Sequence, residues 1–284
     1  MSRRDDAEAA GRQIVPQDAV LGFFGLCVFG QRATPREADL KVPTQVMLSV
    51  AGRLGISEPA TRTTLNRMVH RGLLTRHKQG RTSAFELTPE AHTLLAQGRN
   101  RLFSARPFDH DPGIWTVLSC PLPETLRNTR YQLQVRLTWA GFGAIQPHVW
   151  IAPGRVDVDA MLGDLLTSDV GHLVQAFHGT PTAPSDPREL VTKAWDLSAL
   201  QGVHEAFLDR WENAEPPPGE ALSQLLSLTD DWGRLLRSDP GLPAAYLDDD
   251  WPAPRSARTF SRLRKRLGPG AEEEIDQMLR TGSG

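Results

Sequence analysis

The 284-residue sequence predicts an α+β protein with an N-terminal winged helix-turn-helix, a central ferredoxin-like domain and a C-terminal helical domain. Two amphipathic helices separated by a glycine turn precede a short basic hairpin in the first third of the chain. From Trp115 to Phe177, strand-like and helical segments alternate, and beyond Thr180 the pattern is helical with proline-rich breaks. The apolar fraction of 39% is enough for a sizeable core, and the length favours two or three folding units.

Composition shifts along the chain predict where these units begin and end. The first residues are polar and have no periodic apolar pattern, which predicts a loose tail over residues 1–16. The stretch Thr180 to Pro187 contains three prolines and reads as a linker or a long loop. We therefore expect the winged helix-turn-helix and a linker helix over residues 17–106, the ferredoxin-like domain over 107–185 and the helical domain over 186–284.

Cysteine usage and one apolar run predict a cytoplasmic protein without a membrane anchor. Cys27 and Cys120 are the only cysteines, and both lie in apolar runs, as buried unpaired thiols do. The apolar run Ala19 to Gly30 follows several arginines, but acidic residues dilute that positive region and no small-residue cleavage site follows. The run is also far too short to span a membrane, so it predicts a buried helix.

A helix-turn-helix is predicted from Pro43 to Gly72. The first helix opens with a proline and ends at Leu54, where Gly55 can adopt a positive φ. Ser57 can cap the second helix, which runs from Glu58 to Arg71 before Gly72 stops it. Each helix has one apolar face, formed by Val46, Met47, Val50 and Leu54 in the first and by Leu65, Met68 and Val69 in the second.

The segment after Gly72 predicts a wing. Two short strand-like segments, Leu73 to Arg76 and Ser83 to Leu87, flank the basic turn Lys78-Gln79-Gly80-Arg81. A further helix is predicted to start at Thr88-Pro89, a capping residue followed by proline, and to continue to Leu102.

The distribution of charge predicts that this first region binds DNA. Residues 1–106 carry 16 Lys and Arg against 9 Asp and Glu, whereas the remainder carries 16 against 25. Such an asymmetry is expected when one segment faces a polyanion, although a basic face can also be merely solvated. The consecutive order of cap, glycine turn, basic helix and basic hairpin favours DNA.

Helical geometry then predicts which side chains contact DNA. If the apolar face of the second helix is buried, the opposite face can enter the major groove, where Arg pairs with guanine and Asn with adenine. We expect Arg62, Asn66 and Arg67 to read bases, with Thr63 and His70 beside them. Arg76, Lys78 and Arg81 of the wing should contact phosphates or the minor groove.

The central region predicts β-α-β-α-β with one strand hidden, as in a ferredoxin-like fold. The extended segments are Trp115 to Cys120, Phe142 to Ile151 and His172 to Phe177. Helices are predicted from Pro123 to about Ala140 and from Val158 to Leu166.

Several motifs resemble those of the PaaX family, which are repressors of phenylacetate catabolism operons. They are Ala60-Thr-Arg-Thr-Thr-Leu-Asn-Arg-Met-Val-His-Arg-Gly72, Gly80 to Thr88, Leu137 to Pro153, Trp195-Asp-Leu, Asp239 to Pro243 and Trp251-Pro252. The resemblance implies a winged helix, a central domain similar to the Cas2 nuclease fold, a helical C-terminal domain and a response to an acyl-CoA. The family's W-D-G-x-W element appears as Asp111-Pro-Gly-Ile-Trp115, without its first tryptophan.

An acyl-CoA or aromatic effector would need cations for its phosphates and an apolar slot. Arg127, Arg130 and Arg136 on the first central helix are candidates for the phosphates. Trp139 and Trp150 are candidates for the slot, although large aromatic residues near strands also form ordinary core.

The alternative function is a metal-dependent nuclease of the Cas2-like fold. Asp109 and Asp111 lie just before the first central strand, where they could bind a metal or simply form a turn. The sequence has no HExxH motif, no glycine-rich phosphate loop and no G-x-S-x-G elbow, so we expect neither catalysis nor a metal or cofactor. We expect a homodimer, because helix-turn-helix proteins generally pair two half-sites.

Overall fold

The computed structural model describes residues 14–30, 40–79, 82–104, 107–108, 113–123, 125–166 and 171–282. Helices and antiparallel sheets both occur in them, so the protein is a mixed α and β protein. Two compact units divide the chain. The first takes its residues from Met1–Ser104, Ala214–Trp232 and Phe260–Gly284, and the second from Ala105–Asn213 and Gly233–Thr259.

Among the described residues, the first unit begins with four helices and a small sheet. Its sheet is antiparallel, in the order β1-β3-β2. The elements are α1 (Pro16–Phe29), β1 (Val42–Pro43), α2 (Thr44–Arg53), α3 (Glu58–His70), β2 (Leu74–Gln79), β3 (Thr82–Leu87) and α4 (Pro89–Leu102).

Local capping explains where α2 and α3 begin and end. Gly55 has a φ of 75° and Gly72 a φ of 69°, the left-handed region that glycine adopts without a Cβ penalty. The Ser57 side chain accepts a hydrogen bond from the Ala60 N–H at 3.4 Å, as the sequence predicts. Five residues of the predicted apolar faces are buried, and Met68 is fully inaccessible, whereas Leu54 and Val69 are half-buried. Residues close in the sequence therefore determine where α2 and α3 begin and end.

The second unit contains a four-stranded antiparallel sheet in the order β5-β6-β4-β7. Its elements are β4 (Trp115–Ser119), α5 (Arg127–Trp139), β5 (Gly143–Gln146), β6 (Val149–Pro153), α6 (Val158–Leu162) and β7 (Gln175–Gly179). The order is β-α-β-β-α-β, which is that of ferredoxin-like folds. The hidden strand lies within the predicted stretch Phe142 to Ile151, which forms two strands joined at Pro147-His148.

Both faces of this sheet are covered. On one face, Leu118 and Ala152 pack with Leu133 and Leu137 of α5 and with Leu162 of α6. On the other face, the buried residues are Trp115, Ile151, Val191, Leu242 and Leu247. Strand β7 is at the sheet edge, and its first four residues are exposed.

The turn between α5 and β5 requires two glycines. Gly141 has a φ of 83°, and its N–H donates to the Thr138 carbonyl at 3.0 Å. At Gly143, a Cβ atom would lie 2.6 Å from the Ala194 carbonyl oxygen and 2.7 Å from Cε2 of Trp195. A side chain at residue 143 would therefore push the sheet away from the segment that follows residue 190.

The C-terminal region is helical, as expected, but its breaks differ from the prediction. The sequence pattern predicts one helix over Glu189 to Trp211, where the structure has α7 (Pro187–Ala194) and α8 (Leu197–Trp211). The predicted helix over Glu220 to Arg237 corresponds to α9 (Ala221–Ser238). Two helices predicted over Ala257 to Leu267 and Ala271 to Leu279 form the single helix α10 (Ala253–Gly282). Helix α10 continues through Pro269. Buried Leu263, Leu267, Ala271 and Ile275 keep one apolar face on both sides of that proline. Burying the leucine and isoleucine side chains contributes about 1.5–3 kcal/mol each, and their sum outweighs the roughly 3 kcal/mol cost of an internal proline.

A buried polar network joins three segments of the second unit. Nε2 of His204 lies 2.7 Å from Oδ2 of Asp239, and Nδ1 lies 3.0 Å from Oγ of Ser256. The second carboxylate oxygen of Asp239 accepts the Gly241 N–H at 2.6 Å. Because His204 and Ser256 are fully buried and Asp239 nearly so, these bonds replace water that the groups lose on folding.

None of the helices in the described part of the chain is both long enough and apolar enough to cross a membrane.

Candidate nucleic-acid interface

The outer face of α3 presents the side chains that the sequence analysis predicts. Leu65 and Met68 are buried beneath the helix, and this orientation turns the opposite face to solvent. The exposed residues of that face are Arg62, Thr63, Asn66, Arg67 and His70.

Two threonines complete the buried face of α3, although they are not among its predicted apolar residues. Thr61 and Thr64 are almost inaccessible to solvent. The Thr61 hydroxyl donates to the Ser57 carbonyl at 3.0 Å, so its polar group is satisfied within the helix. Their positions, one turn before Leu65 and Met68, would have been the available signal.

Arg62 is held by an acidic neighbour one turn earlier. Its Nη2 lies 2.7 Å and its Nε 2.9 Å from the same carboxylate oxygen of Glu58. Both side chains are more than half exposed, at 53% and 59%. Since exposed pairs at this spacing contribute only about 0.3–0.5 kcal/mol, the guanidinium can exchange Glu58 for another acceptor at little cost.

Arg76 of the hairpin reaches across to α3. Its Nη2 donates a hydrogen bond to Oδ1 of Asn66, and its guanidinium lies 5.2 Å from the centre of the Phe85 ring. From the sequence, Arg76 is expected to contact phosphates or the minor groove and Asn66 a base, as separate contacts. In the structure they form one pair, which couples the hairpin to the exposed face of α3.

Side-chain hydrogen bonds tie the hairpin to the helices around it. The Thr88 hydroxyl donates to the Gly72 carbonyl at 2.7 Å, and the Thr44 hydroxyl donates to the Ser83 carbonyl at 2.6 Å. Lys78 is exposed on β2, opposite Ser83. Arg81 lies outside the described residues. The described cations of the hairpin and of α3 therefore belong to one packed region.

The residues predicted to bind an effector do not converge on one pocket. On α5, Arg127 and Arg136 are nine residues apart, which places them about half a turn apart around the helix. Arg130 donates to the Leu122 carbonyl at 2.9 Å, and Arg136 donates to the Leu162 carbonyl. Trp139 is 69% exposed, whereas Trp150 is half-buried against the core of the sheet.

The residues considered for a metal-dependent nuclease, Asp109 and Asp111, lie outside the described residues. In the described ranges, no three His, Cys, Asp or Glu side chains come together as a metal site would require.

The architecture defines a class of two-unit α and β protein with a Cas2-like central domain and a basic helix-and-hairpin region before it. Three family models match successive parts of the chain: PaaX-like protein over residues 25–91, PaaX protein central Cas2-like domain over 109–191, and PaaX-like protein C-terminal domain over 195–277. The chain belongs to the PaaX family.

Two relatives extend this comparison. The transcriptional repressor PaaX of Escherichia coli strain K12 is 25% identical over 243 residues, which cover 81% of this chain and 76% of that protein. The structure of the uncharacterized protein Rv0674 from Mycobacterium tuberculosis is similar with a TM-score of 0.59, at 22% identity, over 90% of this chain and 98% of that one. The second likeness concerns the fold alone.

Proposed function

We propose that this protein is a sequence-specific DNA-binding transcriptional regulator that acts as a repressor. In this proposal α2, the Gly55 turn and α3 form a helix-turn-helix, and the β2–β3 hairpin is its wing. The observation that carries the proposal is the exposed face of α3, where Arg62, Asn66 and Arg67 lie together beside Arg76 of the hairpin. The repressor name of the Escherichia coli relative supports the same function.

Base recognition is assigned to α3 in the major groove. An arginine can donate two hydrogen bonds to guanine, and each good bidentate pair gives about 1–3 kcal/mol of discrimination. Arg62 and Arg67 are assigned to guanines, and Asn66 to an adenine. The Asn66 carbonyl oxygen has a second lone pair, so it can accept from adenine N6 while Arg76 continues to hold it.

Affinity without sequence preference is assigned to the wing. Lys78 and Arg81 would neutralise phosphates, and each phosphate contact contributes about 0.9 to the slope of log K against log salt. Around α3, Thr63 and His70 lie between Arg62 and Arg67 on the exposed face, and they are assigned supporting contacts.

The first test measures sequence preference. Binding sites are selected from a random DNA pool with the full chain, and affinities for the selected site and for random DNA are then measured by fluorescence anisotropy. We expect Arg67→Ala to weaken binding to the selected site roughly 5- to 150-fold, the equivalent of one bidentate pair, with little effect on random DNA.

Two further variants distinguish a phosphate contact made by the wing from the general loss of one positive charge. Lys78→Ala should weaken both DNAs alike and reduce the salt slope by about 0.9. Lys193→Ala removes one exposed cation from α7 in the second unit and should change neither affinity. Failure to enrich any sequence, or equal losses for Lys78→Ala and Lys193→Ala, would contradict the proposal.

The proposal includes a homodimer and a small effector, an acyl- or aryl-CoA thioester, whose binding lowers operator affinity. The family resemblance supports this part, and repression relieved by a ligand requires that the ligand favour the state with weaker DNA affinity. Titration of the protein–operator complex with acetyl-, long-chain and aryl-CoA thioesters, with free CoA as control, tests it. If none of the thioesters releases the operator, the effector class is wrong.

A further inference from the structure

Helix α5 carries an apolar stripe that faces solvent. Tyr131 is 70% exposed, Val135 36% and Trp139 69%. These residues are four positions apart, so they lie one above another on the same face of the helix. The opposite face, with Leu133 and Leu137, is buried against the sheet.

The surroundings of the stripe have the composition of a protein interface. Helix α5 contains no acidic residue. Arg130 and Arg136 direct guanidinium nitrogens to the backbone carbonyls of Leu122 and Leu162. The other exposed residues of the helix are Arg127, Asn128, Gln132, Gln134 and Thr138. Exposed aromatic residues with few charges and a neutral polar margin are typical of surfaces that bind another protein.

We infer that this stripe is the contact surface for a second copy of the chain, with the two α5 helices antiparallel about a two-fold axis. When two identical helices are antiparallel, every pair of opposed residues has residue numbers with one constant sum. Pairing Tyr131 with Val135 of the second copy also places Arg127 against Trp139 of the second copy. The exposed guanidinium at one end of the stripe thus meets the exposed indole at the other end, as a cation–π contact requires.

The exposed surface of α5 is large enough for this contact when the polar residues beside the stripe are also buried by it. The two aromatic side chains expose roughly 300 Å², whereas a standard interface buries about 800 Å² per partner. The margin residues of α5, which spans about 20 Å, supply the remaining surface. A nucleic acid is a poorer occupant, because Arg127 is the one fully exposed cation of this helix and Val135 lies at the centre.

This inference rests on the proposed function, because it names the surface through which the proposed homodimer forms. Self-association is measured without DNA, so its outcome is independent of DNA binding. Sedimentation equilibrium of the full chain should give a dimer. Trp139→Ala should raise the dimer Kd by about 30-fold or more, because tryptophan is among the residues whose truncation costs an interface most. Phe177→Ala is the matched control, because Phe177 is 59% exposed on β7, away from the stripe. Its dimer Kd should equal that of the wild type.

A pair of charged variants tests the register of the two helices. Tyr131→Glu and Val135→Lys should each dissociate the homodimer. Mixed together, they should form a heterodimer, because one end then pairs the new carboxylate with the new ammonium while the other end keeps Val135 against Tyr131. Native mass spectrometry distinguishes the heterodimer, and circular dichroism checks that each variant is folded.

Several results would overturn the inference. They are a monomeric wild type at micromolar concentrations, a Trp139→Ala variant that dimerises like the wild type, and dissociation by Phe177→Ala alone. Absence of the heterodimer in the mixture would overturn the proposed register. If Trp139→Ala weakened DNA binding without altering self-association, the stripe would be a nucleic-acid surface instead. A dimer that responds as expected but selects no DNA sequence would contradict the proposed function alone.

Discussion

Replacing Asp239 by alanine tests the buried network of the second unit. The carboxylate accepts hydrogen bonds from two buried donors, the His204 ring nitrogen at 2.7 Å and the Gly241 N–H at 2.6 Å. Both donors lose their acceptor in Asp239→Ala, and water has little access because His204 is fully buried. Each unsatisfied buried donor costs about 1–3 kcal/mol, so we expect a loss of roughly 4 kcal/mol in the free energy of unfolding.

Thermal unfolding and hydrogen exchange measure this loss. For a unit of this size the expected decrease in Tm is roughly 10 °C or more. Faster exchange should be confined to peptides of the second unit. The control His178→Ala removes an exposed histidine from β7 and should change stability by less than about 0.5 kcal/mol.

A double-mutant cycle decides whether the network acts as a unit. His204→Ala removes one of the two donors that Asp239→Ala leaves unpaired. The double variant should therefore lose less stability than the sum of the single variants, with a coupling of about 1–3 kcal/mol. Additive losses, or a Tm for Asp239→Ala within about 2 °C of the wild type, would refute the reasoning.

Three further predictions concern packing, thiol chemistry and DNA binding. Gly143→Ala should lower stability by about 1–3 kcal/mol in urea unfolding, because the added Cβ meets a backbone carbonyl and an indole. Gly179→Ala has open space and is the control, so equal effects would contradict the close approach. Burial raises the pKa of the Cys120 thiol, which lowers the thiolate fraction, and alkylation near pH 8 should be slow until the protein unfolds. Rapid labelling of the folded chain would disprove this. Asn66→Ala and Arg76→Ala should each weaken operator binding with a coupling of about 0.5–3 kcal/mol in a double-mutant cycle, whereas additivity would show that their contact is lost on DNA.

Elements that depend on local signals could be predicted from the sequence. The Ser57 cap and the positive φ values of Gly55 and Gly72 set the ends of α2 and α3 without reference to the rest of the chain. The β5–β6 turn was missed because its left-handed residue is His148, with a φ of 65°, rather than a glycine. The continuous α10 was missed because Pro269 is a strong local break signal that burial on both sides outweighs.

Only the part of the candidate site that lies on α3 could be predicted from the sequence. The periodicity of α3 was sufficient to select its exposed face, and those side chains are exposed in the structure. The pairing of Arg76 with Asn66 depends on how the hairpin packs against α3, which sequence spacing does not encode. Trp139 was considered for a pocket or a core because aromatic residues are usually buried, and its exposure is a property of the tertiary structure.

The contact between Arg76 and Asn66 has a consequence for how operator preference diverges. Replacing Asn66 by arginine or lysine, the residues that pair with guanine, would also remove the acceptor of Arg76, so it would change the hairpin as well as the proposed base contact. Substitution of Arg76 likewise frees the Asn66 amide, the proposed base reader, to adopt other rotamers. If Asn66 reads a base as we propose, homologues that recognise a different base at that position are expected to differ at residues 66 and 76 together.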